Sequence, residues 1–226
     1  ILIDKSICDE FRNIFYKNHI SISKIWCATY IKSLGLINNN DISGFSSFID
    51  IGFKKSSLTI YKDNNLLYLD NTHIGGHHIT QDISKILQID YRKAESLKLK
   101  FSKNIKLKKD LSNFELLKNI INSRIEEIVE LLFFNCPLYQ NKFFNGDFKL
   151  FFTGNGSRVL NKNLLTFGPE FNFINEMSII QEEKNDTCNS AFKFHSNIEN
   201  KNVIKTNFNL ENKGFFEKLF DYFTKR

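Results

Sequence analysis

The chain has 226 residues, 31 Lys and Arg against 25 Asp and Glu, a net charge of +6, and 42% hydrophobic residues. This length supports one large domain or two small ones around a real core, and no apolar run approaches the ~18 residues that a membrane-spanning helix needs. The charge is that of a solvated surface, and no helix-turn-helix, zinc-finger or aromatic RNA-binding motif accompanies it, which argues against a nucleic-acid binder.

The first residues mix Asp4, Lys5, Asp9, Glu10 and Arg12 with apolar neighbours, so they do not read as a signal peptide. Ile1 is not an initiator and Met177 is the sole methionine, so the expectation is a chain whose natural N-terminal part is missing. Cys8, Cys27, Cys136 and Cys188 are far apart, with no C-x-x-C pair, which fits reduced, buried thiols in a cytoplasmic protein.

In chain order, Asp9–Lys17 reads as an amphipathic helix, followed by a short apolar run at Ile22–Cys27. Phe45–Ile51, Ser57–Tyr61 and Leu66–His73 read as an antiparallel meander, with Asp63-Asn64-Asn65 as turn chemistry between the last two and Gly75-Gly76 as a break. Ile79, Ile83, Ile86 and Leu87 have helical spacing, and Asp90 caps a helix at Tyr91–Phe101. Lys103–Lys109 reads as a basic loop, and Phe114–Leu132 as the longest helix, with Leu117, Ile120, Ile121, Ile125, Ile128 and Leu132 on one stripe. Lys149–Phe152 reads as a strand, Asp186–Phe194 as a closing helix, and Ser196–Lys213 as a polar linker.

Two strand-to-turn junctions carry candidate chemistry. Asp50 and Gly52 end an apolar strand, where an acid beside a tight turn can hold Mg²⁺ through water while nearby backbone N–H groups face a phosphate. At Thr153-Gly154-Asn155-Gly156-Ser157 the missing side chains let backbone approach a ligand closely. Two such junctions separated by an α/β segment suggest one domain of an actin-like nucleotide cleft.

At these residues the chain resembles FtsA, the actin-like bacterial cell-division family. Phe48–Gly52, Ser57–Tyr61 and Leu66–Leu87 are similar to the family's phosphate-binding hairpin and the "I-P-x-G-G-x-x-[IV]-T-x-D-I-A" segment after it. Ala94–Lys98 is similar to its "A-E-x-[IL]-K", Asn122–Ile128 to its "R-x-E-E-[IL]" helix, and Phe151–Ser157 to its adenosine motif. The series runs in order over nearly the whole chain. It implies an α/β, actin-like (ribonuclease H-like) second domain, with subdomain 2A wrapped around 2B at roughly 80–137, in all residues 1–195. It also implies ATP and Mg in the intact protein, with Asp50, Gly52, Ser56, Gly154, Asn155, Gly156 and Ser157 around the nucleotide and Arg124 and Glu127 on a helix flanking base and ribose. Where the family has Gly-Gly-Thr-Thr, this chain has Phe53-Lys54-Lys55-Ser56, so side chains enter the phosphate-facing loop and a lysine charge can replace amide contacts. Asn155 stands for the motif's second glycine and tolerates left-handed backbone.

Residues 214–226 are of another kind. At about 100° per residue, Phe215, Phe216, Leu219, Phe220, Tyr222 and Phe223 share one face; Glu217, Lys218, Asp221, Thr224 and Lys225 share the other, and Arg226 adds positive charge. A terminal, aromatic-rich helix with basic flanks after a polar linker reads as one lying in a membrane interface, with anionic lipid as its partner. By resemblance, the partners are also the FtsZ C-terminal peptide, which Lys98–Lys109 would receive on 2B, and further copies in filaments at the inner-membrane face of the division site. His73, His77 and His78 lack a carboxylate or cysteine at metal-ligand spacing. The alternatives are an actin-fold ATPase or sugar kinase and the actin-like pilus-assembly scaffold.

Overall fold

A computed structural model describes residues 4–40, 42–102, 111–140, 144, 148–160, 167–181 and 186–200. The expected linker beyond Asn200 and the amphipathic helix at 214–226 lie outside these residues, as does the basic loop at 103–110.

The chain opens with α1 (Lys5–Tyr16), capped by Asp4, whose carboxylate accepts from the Ser6 amide. It buries none of its residues, and Ile7, Phe11 and Ile14 stay about half exposed. A second helix, α2 (Ala28–Asn40), follows the apolar run at Ile22–Cys27, in a stretch where the sequence suggested no element. Three strands come next, β1 (Phe45–Ile51), β2 (Ser56–Lys62) and β3 (Asn65–Thr72), paired as the expected antiparallel meander. Asp63 and Asn64 both take positive φ, the backbone of a tight hairpin turn.

Helices α3 (Gly76–Ile86), α4 (Tyr91–Ser102), α5 (Leu111–Phe134) and the short α6 (Pro137–Gln140) occupy the middle of the chain. Asp90 caps α4 by accepting from the amides of Arg92 and Lys93. Strands β4 (Phe148–Thr153) and β5 (Ile174–Ile179) complete the sheet, and α7 (Asp186–Asn200) ends the described chain. The sequence reading missed β5, and α7 runs into the segment read as linker. The described residues up to Ala191 fall in one compact unit, and α7 continues into a second from Phe192.

Among the described residues the sheet has five strands in the order β3-β2-β1-β4-β5, with β4 parallel to both β1 and β5. Alternation along β1 sends Ile49 and Ile51 to one face and Phe48 to the other. On the first face they join Leu58, Ile60, Leu150 and Phe152 against Ile79 and Ile83 of α3, Phe101 of α4, and Ile121, Ile125, Ile128 and Leu132 of α5. On the second, Phe48, Tyr61 and Phe151 pack with Leu36 and Ile37 of α2. Helices therefore cover both faces of a mixed sheet, and the ends of β1 and β4 emerge side by side at one edge of the core. The cysteines are free, as expected, but only Cys136 is buried.

Candidate nucleotide cleft

Parallel pairing places Asp50 beside Thr153, which brings the two glycine junctions together. Gly154 has φ +87°, the left-handed region that favours glycine, so it and not Asn155 makes that turn. A Cβ on Gly154 would sit 2.2 Å from Asp50 Oδ1 and 2.6 Å from the Ile51 carbonyl oxygen, and one on Gly156 2.7 Å from that same oxygen. The Gly75-Gly76 turn joins them. The Gly76 amide donates to the Gly52 carbonyl (2.9 Å) and the His77 amide to the Phe53 carbonyl (2.8 Å), while Gly76 and Gly156 also meet closely. Residues 50–55, 75–77 and 154–157 thus form one backbone-packed cluster.

The candidate polar groups in this cluster already have partners. Asp50 accepts a 2.7 Å hydrogen bond from the Lys32 ammonium of α2, a part-buried ion pair. Ser56 donates its hydroxyl to the Ile74 carbonyl (2.7 Å), and Ser157 donates to the Gly154 carbonyl (2.8 Å). These two buried serines lock turns. The Thr153 hydroxyl is buried with no hydrogen-bond partner among the described residues, so one orphan polar atom stands at the junction.

Arg124 and Glu127 lie on α5. Arg124 holds Asp82 of α3 through two bonds of 2.6 and 2.9 Å and also pairs with Glu127. With Ile86, Asn119, Ile120 and Ser123 they line a cleft of about 370 Å³ between α3 and α5, and that lining contains none of residues 154–157. The 155–159 turn packs against α3 and, more extensively, α4. On α4 Lys98 is buried, donating to the Gly76 carbonyl (3.0 Å) and the Thr80 hydroxyl (2.7 Å), and paired with Glu95 at 2.7 Å. Lys98 therefore belongs to the interior and not to an open basic face. Burial alone would raise the Glu95 carboxyl, but hydrogen bonds from Lys98 and Thr80 outweigh it and hold the group below its ordinary value.

Sequence reasoning missed Lys32, Asp82 and the Thr80–Glu95–Lys98 network. The spacing of Glu95 and Lys98 carried the signal, since residues three apart share a helix face. Nothing local marked Lys32, because its helix has only a weak apolar stripe.

The strand order, the parallel β1–β4–β5 core and the helices on both faces define an actin-like fold. The chain is similar to MreB5 of Spiroplasma citri in its crystal structure bound to ADP, with a TM-score of 0.62 and 17% identity, covering 89% of this chain and 69% of that one. It is similar to apo psk41 ParM with a TM-score of 0.50 and 15% identity, covering 79% and 50%.

Residues 47–132 match the family model described as "Cell division protein FtsA", and the chain carries an FtsA-like region. The cell division protein FtsA of Helicobacter pylori is 26% identical over 101 residues, which is 45% of this chain and 20% of that protein. That of Agrobacterium fabrum is 23% identical over 99 residues, 44% and 22% respectively. The matched region spans about a fifth of these relatives. The family match includes the hairpin, the Gly75-Gly76 turn, α4 and most of α5, and stops short of Gly154–Ser157.

Proposed function

We propose that the protein is an actin-like cell-division scaffold that binds ATP, self-associates into filaments and anchors FtsZ filaments to the cytoplasmic face of the membrane. The observation that carries this reading is the FtsA match across residues 47–132, on a fold shared with a nucleotide-bound MreB5. In it, residues 1–195 act as the second actin-like domain, with 2B at roughly 80–137. Gly52, Gly154, Asn155 and Gly156 supply close backbone approach to the nucleotide. Magnesium accompanying the phosphates would be held by Asp50 through water, beside the Lys32 ammonium that bonds its Oδ2. Arg124 and Glu127, which line the α3–α5 cleft and pair with Asp82 and with each other, flank the base and ribose in this reading. The FtsZ peptide would meet the exposed part of 2B without Lys98, since that ammonium is spent inside.

The proposed anchor is Gly214–Arg226, where Phe215, Phe216, Leu219, Phe220 and Phe223 enter the interface and Lys218, Lys225 and Arg226 meet anionic headgroups. Burying a large apolar side chain fully is worth ~1.5–3 kcal/mol, but insertion is partial and the helix must first be ordered. One copy then binds reversibly and a filament binds tightly, because each later contact is intramolecular. Flotation with anionic liposomes tests the anchor: the full chain, dimerised artificially if needed, should float and the chain lacking Gly214–Arg226 should sink. Equal behaviour of the dimerised versions would overturn it.

A further inference from the structure

Beside the hairpin turn lies a second cavity of about 370 Å³, lined by Lys54, Lys55, His73, His77, His78 and Gln81. Two of these six are lysines, three are histidines, and none is a carboxylate. Neither lysine has an ion-pair partner among the described residues, and both are exposed. Lysine charge with no carboxylate in the lining attracts an anion.

The backbone here has little left to offer. The first amides of α3, at Gly76 and His77, are taken by the carbonyls of Gly52 and Phe53, and the Gly52 amide by the Lys55 carbonyl. Those three amides are closed to an anion, and the exposed Lys54 and Lys55 side chains supply the charge to hold one. The histidines differ in how they can respond. His78 accepts from the Gly75 amide through Nδ1, so the nitrogen it can present to a ligand is Nε2. His77 has no such restriction: its Nδ1 lies 2.7 Å from the Tyr91 hydroxyl, which can either donate or accept.

We propose that this cavity binds a polyphosphate group through Lys54, Lys55 and the histidines, and that binding is coupled to uptake of a proton by His77. The idea rests on the nucleotide reading, in which the ligand is the phosphate chain of ATP; free inorganic polyphosphate is the other source of the same chemistry. His77 faces His78 of its own helix, Lys54 of the hairpin, and Lys98, Glu95 and Tyr91 of α4. Its imidazole is held below the ordinary histidine value by burial first, then by the charges of His78, Lys54 and Lys98, with Glu95 opposing them. An anion among these cations reverses the balance and raises it. By linkage, a group that binds its proton more tightly in the complex makes affinity increase as pH falls.

The test measures tripolyphosphate binding to the full chain near pH 8 and near pH 6, for the native protein, His77→Gln and Lys54→Ala, with Lys85→Ala as a control. Glutamine can still bond Tyr91 but cannot titrate, so it also subtracts the probe's own titration. The native chain should gain about tenfold more affinity over this range than His77→Gln does, and Lys54→Ala should weaken binding at both pH values. The His77 imidazole, followed by NMR, should titrate at higher pH when tripolyphosphate is present. Absence of binding near pH 6, equal pH dependence in native and His77→Gln, or an unmoved His77 titration would overturn the proposal. ATP competition separates the two ideas. ATP that binds to a chain on which tripolyphosphate does not bind, and that ignores Lys54→Ala, leaves the nucleotide reading standing and removes this site. Proton-linked tripolyphosphate binding with which ATP does not compete leaves the site standing for inorganic polyphosphate and removes the nucleotide from it.

Discussion

Two carboxylates on neighbouring parts of the fold illustrate how residue environment sets the direction of a pH effect. Glu95 is held low by Lys98 and Thr80, so its contribution to stability is present above the unfolded value, about 4.3, and is lost as pH falls through the lower folded value. Glu95→Gln should flatten the acid limb of a urea midpoint measured against pH. Glu130 is raised, first by burial and then by Glu126, Glu170 and Glu127, and the oxygens of Glu126, Glu130 and Glu170 lie within 4.8 Å of one another. Its contribution is present below the unfolded value and is lost as pH rises through the higher folded one. Glu130→Gln should therefore stabilise the protein near neutral pH and leave it unchanged in acid, a result that midpoints taken at pH 4 and 7 would check. The Lys32–Asp50 pair offers a third test. Lys32→Met leaves a part-buried carboxylate unpaired and should cost about 1–3 kcal/mol in urea unfolding, most of it recovered by adding Asp50→Asn.

At the scale of elements, the joint between turns depends on atoms that are not there. Gly154→Ala combines a left-handed backbone with a Cβ inside contact distance of Asp50 and Ile51, and should lower stability by at least about 1–2 kcal/mol in denaturant unfolding. The meander, α4 and α5 were legible in the sequence because each carries its own signal: alternation, a turn at Asp63-Asn64, the Asp90 cap, or the long apolar stripe of α5. The elements that escaped have no such signal. α2 runs Ala28–Asn40 with Asn at its end and a weak apolar stripe, and β5 reads Ile-Asn-Glu-Met-Ser-Ile, an edge strand among the described residues. Their placement is set by what they pack against. The same holds for the candidate site: glycine spacing identified the junctions, but the partners Lys32, Asp82 and Ile74 come from segments that only the fold brings near.

Across the whole molecule, the principal core lies between the sheet and the α3–α5 layer, and α5 is its main support. Ile125 is fully buried in it, so Ile125→Ala should cost about 2–5 kcal/mol, a loss large enough to read as a shifted urea midpoint with the same slope. A change at Phe11 or Ile14 of α1, both about half exposed, should leave that midpoint nearly unmoved.

The pairing of β1 with β4 also carries a consequence for the order in which the protein assembles. β1, β2 and β3 are contiguous and close on themselves through two tight turns, whereas the partner of β1 on its other side is about a hundred residues further along. During synthesis the meander is complete long before β4 exists, and Phe48, Ile49 and Ile51 then lie on a strand whose free edge is a template for any passing chain. Closing that edge is a late, long-range step. Pulse-labelled hydrogen exchange during refolding should protect the amides bonded between β1 and β2 first and those between β1 and β4 last, and shortening the chain before Phe148 should leave a product that aggregates.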